Sequence, residues 1–204
     1  MYNVYPVVKR AEVCLDYEVY INGKRYDTDT ARVSAMPFNR RWPGHQRSKS
    51  QTELISFVSL ETDEKLSFDI VPKGDSDDVI IRPASLGIKP EIRDGHVLFT
   101  LSKPAYFTVE AFGRNRALHI FADPIEVCNV DKSDENVIYY GPGEHFEEII
   151  ELHDNETLYL ERGSVVYGCI RAKDAKNISI LGRGILDNSL NVEKILYEAN
   201  VQNN

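Results

Sequence analysis

Residues Thr157 to Asp187 read TLYLERGSVVYGCIRAKDAKNISILGRGILD. Two short apolar runs, Thr157-Leu158-Tyr159-Leu160 and Asn177-Ile178-Ser179-Ile180, each lead into an Arg-Gly step, Arg162-Gly163 and Arg183-Gly184. Each step is followed by a further apolar pair, Val165-Val166 and Ile185-Leu186. The units repeat at a period of roughly 20 residues, within the range of solenoid repeats. Strands this short cannot bury an apolar face alone and gain burial by stacking on the next coil. The pattern therefore predicts the first coils of a parallel β-helix.

Upstream of this stretch the pattern changes. Leu15, Tyr17, Val19 and Ile21 alternate with other side chains and run into Asn22-Gly23, with Lys24 to Thr28 as the return strand. Asn-Gly suits a type I′ hairpin turn, which needs positive φ at both central positions. Short β-rich runs follow at Leu54–Leu60, Leu66–Val71, Val79–Arg82, Val97–Leu101, Tyr106–Phe112 and Leu118–Phe121, separated by turn signals such as Asp94-Gly95 and Gly113-Arg114-Asn115. Regular short strands of this kind predict an antiparallel β-sandwich. Residues 124–136 are polar, and a boundary is expected near residue 130. The expected organisation is an all-β chain: residues 1–130 an antiparallel β-sandwich, residues 131–204 the start of a right-handed parallel β-helix with a short C-terminal helical tail. In that tail Val192, Ile195, Leu196 and Ala199 share a helical face. It reads either as a cap on the open solenoid end or as incidental sequence.

Composition narrows the function. The 204 residues carry 32 acidic against 24 basic side chains, a net charge of −8. A nucleic-acid binder needs a basic face to displace counterions, so nucleic acid is not an expected partner, and neither is an anionic membrane. No run approaches the roughly 18 apolar residues of a membrane span. Cys14, Cys128 and Cys169 are widely spaced and form no CxxC, which suits free thiols in a reducing compartment. With no signal pattern at MYNVYPVVKRAEV, the expected location is cytoplasmic; a secreted or periplasmic chain with its signal removed is the alternative.

Several elements then occur in a telling order: Ile81-Arg82-Pro83-Ala84-Ser85-Leu86-Gly87-Ile88, Phe107-Thr108-Val109-Glu110, His119-Ile120-Phe121-Ala122-Asp123-Pro124, Tyr140-Gly141-Pro142-Gly143, and Gly182-Arg183-Gly184-Ile185-Leu186-Asp187. Together they resemble the N-terminal β-sandwich and first β-helix turns of the dextranase and isopullulanase family of glycoside hydrolases. The GRGILD coil also resembles the polygalacturonases, with their pectin-lyase-like right-handed β-helix. The resemblance implies a glycosidase of polysaccharide degradation, acting on a pectin-, dextran- or pullulan-type substrate by inversion. Inversion uses an acid and a base about 6.5–9.5 Å apart. In these families the aspartates that do this sit on middle coils, beyond the position of Asp187. Nothing in residues 188–204 matches their motifs, so no catalytic residue is carried over. The chain is expected to be the non-catalytic front of such a hydrolase. The alternative is a complete carbohydrate-binding or self-associating module, with a homodimer through the open β-helix end.

Among individual residues, Asp187, Asp174, Glu161 and Glu156 are expected to bond or solvate turns rather than to react. The long loop at residues 34–52 has the most suggestive composition. There Trp42 offers a ring for a sugar face, Arg40, Arg41 and Arg47 offer bidentate donors for a uronate or other anionic glycan, and His45 and Gln46 add donors. The competing reading makes Trp42 a plug and pairs the arginines with the acidic surface. The histidines, His45, His96, His119, His145 and His153, show no metal-ligand spacing. His119, inside an apolar run, reads as structural. No cofactor motif is present: Gly182-Arg183-Gly184 is a lone GxG.

Overall fold

The computed structural model describes residues 1–7, 13–34, 52–76 and 78–188. Among these residues the regular structure is all β: strands β1 (Tyr2–Val4), β2 (Tyr17–Ile21), β3 (Lys24–Tyr26), β4 (Asp29–Ser34), β5 (Thr52–Thr62), β6 (Leu66–Pro72), β7 (Ile80–Arg82), β8 (Glu91–Arg93), β9 (His96–Leu101), β10 (Ala105–Glu110), β11 (Leu118–Asp123), β12 (Val137–Tyr140), β13 (Gly143–Glu151), β14 (Thr157–Leu160), β15 (Ser164–Arg171), β16 (Ser179–Gly182) and β17 (Ile185–Asp187), with two 3-10 turns at Ala84–Leu86 and Arg114–Arg116. The chain divides into two compact units, the described part of the first ending at Glu126 and the main part of the second beginning at Val127.

The first unit holds a five-stranded sheet in the order β3-β2-β6-β9-β8 and a six-stranded sheet in the order β1-β5-β11-β10-β7, with β4 also beside β5. The alternation read from the sequence is what lines the core. On β2, Tyr17, Val19 and Ile21 are buried while Glu18 and Tyr20 are less so, as the period-2 geometry of a strand requires. One core draws on both sheets: Val19, Ile21, Phe68, Ile70 and Phe99 from one, Val58, Leu60, Phe107, Val109, Leu118 and Ile120 from the other. At its centre Phe68 and Phe99 stack with centroids 5.1 Å apart. The Phe107 ring meets both edge-on, at 5.8 and 5.6 Å. Each such side chain contributes about 1.5–3 kcal/mol on burial.

Both hairpin turns take the expected form. Asn22 and Gly23 have φ of 51° and 78°, and Asp94 and Gly95 have φ of 50° and 80°, the left-handed pair a type I′ turn demands. In one respect the sheets depart from the pattern's expectation. The six-stranded sheet is not wholly antiparallel, because β11 runs parallel to β5, with Leu118 opposite Ser56 and Asp123 opposite Glu61. A pairing across that sequence separation leaves no local turn signature.

In the second unit every strand pair is parallel. Two three-stranded sheets form, β12-β14-β16 and β13-β15-β17. Leu158 stands opposite Ile138 and Ile180, and Val165 opposite Glu144 and Ile185. Three successive β-β passes therefore stack rung on rung. Ile150, Leu152, Leu158, Leu160 and Val166 are buried between them, with Ile138, Tyr140, Ile170 and Ile178 packed alongside. The first pass, β12 and β13, belongs to this stack although it lacks the Arg-Gly step; Gly141-Pro142-Gly143 makes its corner. The two Arg-Gly steps also differ in conformation. Gly163 has φ of 79°, whereas in the next pass the positive φ, 102°, falls on Gly182 rather than Gly184. Leu160 registers with Gly182, so in the third corner the Arg-Gly step follows the strand one position sooner than in the second. The expected tail helix lies outside the described residues.

Candidate functional site

Of the carboxylates singled out from the sequence, Glu161 and Glu156 are engaged in hydrogen bonds. Glu161, in the corner between β14 and β15, accepts a bond from the Lys132 ammonium and another from the Tyr139 hydroxyl at 3.1 Å. Lys132 also lies over the rings of Tyr139 and Tyr159, 5.0 and 5.3 Å from their centroids, a cation–π arrangement. Partial burial pushes the Glu161 carboxyl up, but the ammonium and the phenol outweigh it and hold it below its usual range. A carboxyl kept ionised in this way is the opposite of a general acid, which needs a raised pKa. Glu156 accepts the backbone N–H of His153 at 2.8 Å and closes a turn. Asp174 occupies a left-handed turn position with φ of 57°. Asp187 ends β17 opposite Tyr167. Among the described residues no cluster of three or more His, Cys, Asp and Glu side chains could hold a metal ion.

The glycan-contact residues expected from the sequence, Arg40, Arg41, Trp42, His45 and Arg47, lie outside the described residues.

A different cluster stands out on the outer face of the six-stranded sheet. Strand register sets Arg82 of β7 beside Thr108 of β10, Thr108 beside His119 of β11, and His119 beside Phe57 of β5. In the adjacent row Tyr106 faces Phe121. The aromatic rings touch: Tyr106 and Phe121 lie 5.8 Å apart and Phe57 and Phe121 6.1 Å, both edge-to-face, while the His119 imidazole stacks on Phe121 at 6.2 Å. Tyr106 is 59% exposed and Phe121 38%. Together with Arg82, Pro83, Ala84, Phe107, Thr108 and His119 they line an open groove of about 510 Å³. The Tyr106 hydroxyl donates to Asp123, which fixes the ring. Arg82 pairs with Glu110 at 3.1 Å, so the guanidinium among the groove's described lining residues is neutralised. Burial pushes the His119 imidazole below its usual value, Glu110 opposing only in part, so the ring is neutral near pH 7.

The sequence gives no reading of this face, and His119 within its apolar run reads as structural. A signal existed. In Ala105–Glu110 and Leu118–Asp123 large apolar side chains occupy both parities, Tyr106 with Phe107 and Ile120 with Phe121. An antiparallel sheet with one wet face would instead alternate with polar residues.

No family model matches the chain, and no curated protein matches it either. Among solved structures it is similar to Dex49A from Penicillium minioluteum, with a TM-score of 0.56 and 16% sequence identity over 83% of this chain and 45% of that one. The likeness is one of fold, and this chain spans less than half of that protein's length.

Proposed function

We propose that the chain is the N-terminal, non-catalytic portion of a polysaccharide-degrading, inverting glycoside hydrolase: a β-sandwich followed by the opening coils of a right-handed parallel β-helix. Its task is to found the coil stack and to contribute glycan contacts, with carbohydrate as the partner and the loop bearing Arg40, Arg41, Trp42, His45 and Arg47 among the contacting groups. The observation that carries this reading is the succession of parallel rungs from Val137 to Asp187, which follows a two-sheet unit in sequence. The likeness in fold to Dex49A supports it, and so do the ordered sequence elements that resemble the dextranase and isopullulanase family. On these coils Glu161 and Glu151 are held in ion pairs and Glu156 closes a turn. The test is direct. Purified chain incubated with dextran, pullulan or pectin is expected to release no reducing sugar, and release from any of them would overturn the non-catalytic assignment.

A second reading is favoured by one observation. Ile180, Leu181 and Leu186, on the last described rungs, remain exposed. A stand-alone module would cover them by stacking end to end with a second copy, because exposed apolar rungs and open strand edges favour pairing. Sedimentation equilibrium distinguishes the two. A dimer that dissociates on Leu181→Asp favours the module, whereas a monomer across the micromolar range removes its motive.

A further inference from the structure

We propose, resting on the polysaccharide reading above for the choice of ligand, that the outer face of the six-stranded sheet around Tyr106, Phe121 and His119 is a binding platform for a neutral glycan segment. It is separate in sequence from the Trp42 loop.

Three features lead there. The first is shape. A groove of about 510 Å³ is in the size range of small-ligand clefts and accommodates one or two pyranose rings. The second is the kind of surface. A pyranose has one face of C–H groups and an equator of hydroxyls. The exposed rings of Tyr106 and Phe121 offer flat apolar area for the C–H face through dispersion and weak C–H contacts. Tyr106 is already fixed by its bond to Asp123, so little rotamer freedom is lost on binding. At the groove's edge Thr108 supplies a hydroxyl and His119 a ring that, when neutral, carries one donor and one acceptor nitrogen. That pairing matches a sugar hydroxyl, which both gives and accepts. The imidazole stacks on Phe121 and makes no hydrogen bond among the described residues.

The third feature is charge. Arg82 is bonded to Glu110 at 3.1–3.2 Å, and Glu110 also accepts from Thr108 at 3.3 Å. The cation is therefore occupied, and the chain as a whole carries a net charge of −8. Among the described residues lining the groove a uronate would meet no unpaired cation, and the net negative charge would repel it at long range. The complementary ligand is an uncharged glucan-type chain.

Affinity electrophoresis of the full chain tests this in gels containing dextran, pullulan, amylopectin or polygalacturonate. Retarded migration is expected in at least one neutral polysaccharide. Tyr106→Ala should weaken that retention about tenfold, equivalent to about 1.4 kcal/mol. Tyr106→Phe, which keeps the ring, should retain it. Ile92→Ala removes an exposed side chain 55% accessible on the other sheet and should migrate as the parent does. No retention in any neutral polysaccharide, retention in polygalacturonate alone, or full retention by Tyr106→Ala would overturn the platform. Those results leave the non-catalytic front-portion reading standing, since that reading is tested by reducing-sugar release and by sedimentation of the Leu181→Asp variant.

Discussion

The backbone carbonyl of Leu160 sits where a side chain on Gly182 would have to begin. A Cβ on Gly182 would lie 2.7 Å from the Leu160 carbonyl carbon and 2.9 Å from its nitrogen. The Leu160 oxygen also accepts the N–H groups of Arg183 at 2.9 Å and Gly184 at 3.0 Å. One carbonyl thus seats the corner of the next pass, and only a residue without a side chain allows the approach. Gly182 also has φ of 102°, a region that L-residues rarely occupy. Gly182→Ala is expected to cost more than about 3 kcal/mol, combining steric displacement with backbone strain. Gly23→Ala is the contrast. It has φ of 78° but nothing within 4 Å, so it carries the conformational cost alone, about 1 kcal/mol. Urea unfolding of the two variants should separate them, and equal losses would refute the stacking account.

Tyr17 anchors the first unit in a similar way. Its hydroxyl donates to the carbonyl of Arg116 at 2.9 Å and accepts the N–H of Ala111 at 3.3 Å. Burial pushes this phenol up to about 12. Tyr17→Phe leaves the Ala111 N–H without that acceptor in a buried setting and should cost about 1–2 kcal/mol. Spectrophotometric titration supplies a second measure. Tyr17 and Tyr140, which burial also raises to about 12, should ionise late, and the Phe variant should lack one of these late steps.

Beside it, Asp16 receives Arg116 in two bonds, at 3.0 and 2.6 Å. That guanidinium holds the Asp16 carboxyl below its usual range. A carboxyl depressed in the folded state stabilises above its unfolded value of 3.8 and loses that contribution as pH falls through the folded one. Asp16→Asn should therefore cost about 0.5–1 kcal/mol at pH 7, given the pair's partial exposure. The difference from the parent should stay constant down to about pH 5 and then close. A difference that persists at pH 2 would assign the effect to packing instead.

How legible all this is from sequence depends on how local each feature is. The turns at Asn22-Gly23 and Asp94-Gly95 announce themselves because two adjacent residues must both take positive φ. The coil stack is visible in Leu158 and Ile180 because successive passes repeat the same apolar run. Its first pass is harder to see, since Tyr140-Gly141-Pro142-Gly143 makes the corner with different residues from Leu160-Glu161-Arg162-Gly163. The parallel pairing of Leu118 with Ser56 is illegible, because nothing in either strand specifies a distant partner. The aromatic groove is illegible for the same reason. Arg82, Tyr106 and Phe121 converge only once β7, β10 and β11 lie side by side.

His119 ties the groove to pH. Burial holds its imidazole below its usual value of 6.5. The charged groups on its face among the described residues include Glu110, paired with Arg82, Asp123, bonded by Tyr106, Glu61 in register with Asp123, and Asp29 beyond Phe57. For a base depressed in the folded state the unfolded chain binds the proton more readily. Stability from this group is thus complete above about pH 6.5 and falls as pH drops toward the folded value. Protonation also removes the acceptor nitrogen. Glycan retention should therefore be flat from pH 8 to 7 and decline only as pH falls below the ordinary imidazole value of 6.5. His119→Phe should remove this group's share of the stability slope, and any retention it keeps should no longer change with pH over that range. An unchanged pH profile of retention in His119→Phe would show that the imidazole takes no part in binding, leaving the rings of Tyr106 and Phe121 to carry it.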